Sequence, residues 1–109
     1  MFQYFVNKSD GAHHEIFPGV HIYTTHADRM MISLVEFEPH AVVEEHSHPH
    51  EQMGYLLEGE ADFYIGGQHR RVGPGDMWRI PGGVKHRVVA GPQPVRAIDV
   101  FYPIREDYK

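Results

Sequence analysis

Three histidines and a glutamine fall within seven residues, His46-Ser47-His48-Pro49-His50-Glu51-Gln52, a density that suits metal coordination. On an extended backbone side chains alternate between faces, so the even-numbered His46 and His48 aim one way and Gln52 can be brought back to them, with Glu51 turned aside. Imidazole nitrogens and a carboxamide oxygen form an intermediate, mostly nitrogen site that suits zinc, nickel, iron, manganese or copper without ranking them. The competing reading is a flexible, His-rich surface run, and a ligand downstream decides between the two. His86 supplies it, at the end of Gly75-Asp76-Met77-Trp78-Arg79-Ile80-Pro81-Gly82-Gly83-Val84-Lys85-His86, whose glycines and proline permit a sharp approach to a strand. His50 is the alternative ligand within the cluster. His13, His14, His21, His26 and His69 have no partner at such spacing and are expected on the surface or in loops.

A carboxyl group is the second chemical feature. In Val95 to Phe101, Ala97, Asp99 and Phe101 share one strand face while Ile98 and Val100 share the other. Aspartate is depleted from strands and costly to bury unless it is paired or functional. Asp99 therefore bonds a neighbouring strand, pairs with an arginine such as Arg79, or transfers protons.

The elements that must position these groups are short strands. Eleven glycines and eight prolines interrupt the 109 residues every few positions and leave little room for a helix of three turns. Val20 to Glu38 reads as two strands joined near His26-Ala27-Asp28. Further strands are expected at Val42-Val43 into the His cluster, Gln52 to Leu57, Ala61 to Ile65, Gln68 to Val72, Met77 to Ile80, His86 to Val89 and Val95 to Phe101. Glu58-Gly59-Glu60 and Gly66-Gly67 read as hairpin turns, Val72 to Asp76 and Pro81-Gly82-Gly83 as strand corners. Trp78, Tyr55 and Phe63 are expected in the core. So many short strands imply an all-β sandwich or closed barrel.

Composition limits the partners. With 41% apolar and 23% charged residues the chain is of the soluble globular class, one domain over 1–109, with no membrane-spanning stretch. A net charge of −5 and no basic cluster would repel a phosphate backbone, so no nucleic-acid partner is expected. The absence of cysteine removes disulfides, thiolate sites and cysteine nucleophiles. Met1 to Lys8 lacks the basic start and apolar run of a signal peptide, and a cytoplasmic location is the expectation.

The two histidine segments together resemble the cupin motifs. His46, His48, Gln52 and Gly59 follow the first, and Gly75, Pro81, Gly83 and His86 the second. His40 stands where the first begins with Gly, Ala90 where the second ends with Asn, and Gln52 replaces the usual Glu. The likeness covers roughly residues 30–103 and implies a double-stranded β-helix, a jelly-roll-like barrel, holding one divalent transition metal ion through His46, His48, Gln52 and His86. With Gln for Glu the ligand set is neutral, and the ion acts more strongly as a Lewis acid. Three histidines with open positions are the catalytic pattern.

More narrowly, His46 to Tyr55, Leu57 to Glu60 and the ending Ala97 to Tyr108 resemble the KdgF-type pectin-degradation cupins. That likeness implies conversion of 4,5-unsaturated monouronates to linear 5-keto-4-deoxyuronate, with Asp99 and Phe101 as the essential Asp-x-Phe pair. It also implies a homodimer and a small sugar-acid substrate, whose carboxylate Arg105 or Arg79 would take as a two-pronged donor. A cupin dioxygenase and a non-catalytic sugar-acid-binding cupin are the alternatives, and an acid at Asp99 separates pure binding from catalysis.

Overall fold

The computed structural model describes residues 3–109; Met1 and Phe2, part of the stretch read above for a signal peptide, lie outside them. Ten strands follow in order: β1 Ala12–Phe17, β2 Val20–His26, β3 Met31–Phe37, β4 Val42–His46, β5 Glu51–Glu58, β6 Ala61–Ile65, β7 Gln68–Val72, β8 Met77–Ile80, β9 His86–Ala90 and β10 Val95–Tyr102. Two short 3₁₀ turns, Lys8–Asp10 and Glu106–Tyr108, are the helical elements among the described residues. None is long and apolar enough to cross a membrane.

The strands form a six-stranded sheet, β1-β2-β3-β10-β5-β8, facing a four-stranded one, β4-β9-β6-β7, and every pairing is antiparallel. Period-two burial explains the packing. In β3 Met31, Ser33, Val35 and Phe37 are buried while Ile32 between them is exposed, so one face of each sheet supplies the core. Leu56, Val20 and Ile22 are essentially excluded from solvent, each such side chain contributing about 1.5–3 kcal/mol.

Three expectations need correction. β1 is not among the expected strands, because Ala12-His13-His14-Glu15-Ile16-Phe17 carries few β-forming residues; it is an edge strand held by β2. Glu58-Gly59-Glu60 is a corner and not a hairpin, since β5 and β6 lie in different sheets. Tyr55 is 42% exposed on the outer face, because the inward positions of β5 are Gln52, Gly54 and Leu56. The Gly66-Gly67 hairpin does join β6 to β7, and both proline-glycine segments are corners between sheets. His40, where the motif has glycine, takes φ 65°, a left-handed conformation that costs a non-glycine residue about 1 kcal/mol or more.

Candidate metal centre and its cavity

Neighbouring strands of the four-stranded sheet bring the two histidine segments together. His46 on β4 lies directly opposite His86 on β9, and His48 follows from the loop after β4. That loop is tied to the second segment by Gly83 N–H donating to His48 O at 2.8 Å. One ring nitrogen from each of His46, His48 and His86 lies within 4.8 Å of the others, a group that can hold a metal ion. His50 stays outside it.

The tautomers follow from the outer contacts. Nδ1 of His46 meets Glu44 O at 2.8 Å, that of His48 meets His50 O at 3.1 Å, and that of His86 meets Val84 O at 2.9 Å. A carbonyl only accepts, so each Nδ1 carries the proton and each Nε2 presents a lone pair. His86 Nε2 is buried without a partner. Burial, followed by the Arg105 guanidinium, lowers the His48 pKa to about 4, and burial likewise lowers that of His86. His48 and His86 are thereby held as neutral imidazoles, the form a metal requires.

Gln52 completes the arrangement from the opposite sheet. Its Oε1 lies 2.9 Å from His48 Nε2, so two lone pairs face one another, a contact that a cation shared by both relieves. Turning the amide over is opposed by Asp99, which takes a hydrogen bond from the Gln52 side chain. The residues present thus fit a bound cation.

Asp99 projects from β10 into the cavity lined by His46, Gln52, His86, Ser33, Phe101 and Arg105. Burial pushes its pKa up to about 6, against hydrogen bonds from Gln52 and Trp78 and the charge of Arg105. Arg105 is 8% exposed. Its guanidinium lies 3.8 Å from the Tyr108 ring centroid and 5.3 Å from that of Phe101. Nη2 donates to Asp107 at 3.0 Å, while the buried Nε has no partner.

Arg79 is placed elsewhere: Trp78 and Ile80 are the buried positions of β8, and Arg79 is exposed on the outer face. It neither pairs with Asp99 nor lines the cavity. Three lining residues have no role in the sequence reading of the site. Ser33, buried with an unpartnered hydroxyl, is the one small polar residue at an inward position of β3. Tyr108 covers Arg105 from the C-terminal turn, and Trp78 bonds Asp99.

Comparison with known proteins shows the family and the fold. Residues 33–101 match the cupin domain family. The pectin degradation protein KdgF of Dickeya dadantii is 31% identical over 85 residues, 77% of each chain. The structure of KdgF from Halomonas sp. superposes with a TM-score of 0.85 at 30% identity over 98% of both chains. An RmlC-like cupin from Shewanella frigidimarina gives 0.89 at 27% identity over 99% of this chain and 97% of its own. The chain belongs to the cupin family and, within it, to the group of the KdgF pectin degradation proteins.

Proposed function

We propose that this protein opens the ring of 4,5-unsaturated monouronates to give the linear 5-keto-4-deoxyuronate, with one divalent transition metal ion bound by His46, His48, Gln52 and His86. The observation that carries the reading is Asp99: an acid with its pKa near 6, inside the barrel and bonded to the amide that faces the histidines.

The reaction is an isomerisation. The anomeric hydroxyl loses its proton, the bond from the anomeric carbon to the ring oxygen breaks to leave an aldehyde and an enolate, and the former alkene carbon gains a proton as the enolate becomes a ketone. One carboxyl group that takes the first proton and returns it to carbon balances the sequence, and a pKa near the working pH suits both steps. The bound ion would supply Lewis-acid polarisation of substrate oxygens. Arg105 offers its unpartnered Nε to the substrate carboxylate, and Phe101, 3% exposed, forms the apolar wall.

The direct test follows the ultraviolet absorbance of lyase-generated unsaturated monouronate. Metal-loaded protein is expected to accelerate its decay, and a rate equal to the spontaneous one would overturn the proposal. Arg105→Lys keeps the charge but loses the planar fork. It is expected to raise KM about tenfold, the loss of roughly one hydrogen bond to a charged group, with a smaller change in kcat.

A further inference from the structure

We propose that Trp78 is a positioning residue for Asp99 and that Gly54 is the slot through which it acts; the inference rests on the proton-transfer role given to Asp99 above. The three residues form one row across the six-stranded sheet, with Gly54 paired to Asp99 on one side and to Trp78 on the other. β8 and β10 are therefore not neighbours, and with β5 between them their axes stand roughly 10 Å apart. Trp78 Nε1–H nevertheless donates to Asp99 Oδ1 at 3.1 Å.

The contact is possible because position 54 has no side chain. A Cβ built on Gly54 would overlap Cε2 and Nε1 of the indole. From the other side Phe63 packs on the ring, centroid to centroid 4.4 Å, so the indole is clamped between the β5 backbone and the facing sheet. With Oδ1 held by Trp78 and a second bond from Gln52, the carboxyl group cannot rotate freely. A proton carrier serving two atoms of one substrate gains from that fixed orientation. A tryptophan that merely filled the core would need neither the glycine nor the polar contact.

Trp78 is the single tryptophan of the chain, so its indole N–H gives one assignable resonance in ¹⁵N-labelled protein. That resonance is expected to exchange slowly and to move upfield in Asp99→Ala. Trp78→Phe, which keeps an aromatic ring in the core, is expected to lower kcat roughly tenfold to a hundredfold with KM and metal content unchanged. It should cause no further loss in an Asp99→Asn background. Gly54→Ala keeps the tryptophan but closes the slot, and is expected to reproduce both the kcat loss and the resonance shift. An indole signal indifferent to Asp99→Ala, wild-type kcat in Trp78→Phe, or additive losses in the double variant would each overturn the inference. A wild-type protein inert towards the monouronate would overturn only the functional reading, because the indole resonance still decides the pairing.

Discussion

Replacing Asp99 with asparagine is expected to lower kcat on the unsaturated monouronate by about 10²-fold to 10⁴-fold and, at the same time, to make the metal-free protein more stable at pH 7. The two effects have one origin. Burial favours the protonated form of Asp99 over the hydrogen bonds from Gln52 and Trp78 and the charge of Arg105, which oppose it, and gives a folded pKa of about 6 against an ordinary value of 3.8. A carboxyl whose pKa is raised by folding leaves stability intact below about pH 4 and removes it as pH rises through 6. At pH 7 the ionised group costs about 3 kcal/mol, since each tenfold change in a proton-binding equilibrium is worth about 1.4 kcal/mol. Asparagine avoids that cost and can still accept from Trp78, but it gives up one acceptor, worth about 1 kcal/mol. A net gain of about 1–2 kcal/mol remains. Urea midpoints of the two metal-free proteins should favour the wild type slightly near pH 4, where only the lost acceptor counts, and reverse by pH 7, the variant then being the more resistant. A variant less stable at pH 7 would identify Asp99 as a structural partner whose ionised form the fold favours, the opposite of a strained acid. His48 contributes in the opposite sense. Its pKa is depressed from 6.5 to about 4, so the stability it adds above pH 6.5 is lost as pH falls through 4, and the Asp99→Asn variant should show that loss without the opposing carboxyl.

The histidine pattern was readable because side chains that meet from an extended strand and a proline-glycine corner leave a fixed spacing in the chain. Strand positions from β2 onward were also readable, since alternation and glycine-proline punctuation are local. β1 was hidden because its pairing with β2, not its own composition, makes it a strand. Parity in β8 already separates Arg79 from Trp78 and Ile80, so its outward position was available in principle; what concealed it was nearness in sequence to the second histidine motif. The bond from Trp78 to Asp99 was not legible at all. It joins strands that are neither consecutive nor adjacent, and it depends on an absent side chain at Gly54. The replacement of Glu by Gln at position 52 could be seen, but not that the amide stands between the histidines and Asp99.

That placement of Gln52 leads to the second large effect, which concerns the metal. Adding a divalent transition ion at about a hundred times its Kd should stabilise the protein by about 2.7 kcal/mol, a rise in Tm on the order of 10–20 °C for a domain of this size. His86→Gln keeps a polar group of similar reach but removes the unpartnered Nε2, and is expected to abolish both the metal-dependent rise and turnover. Gln52→Glu distinguishes holding the ion from using it. The new carboxylate is a good oxygen ligand, so the metal-dependent rise in Tm should persist or grow. Catalysis should nevertheless fall, for two physical reasons. A negative ligand offsets part of the ion's charge and weakens its pull on substrate oxygens. The amide N–H that bonds Asp99 is replaced by an oxygen that repels it, at a cost of about 1.5–3 kcal/mol for a hydrogen bond to a charged group, equivalent to about tenfold to a hundredfold in rate. Parallel thermal melts and monouronate assays measure the two separately. Full activity in Gln52→Glu would show that neither the neutral ligand nor the amide N–H matters to turnover, whereas loss of activity with retained metal is the expected result and separates holding the ion from using it.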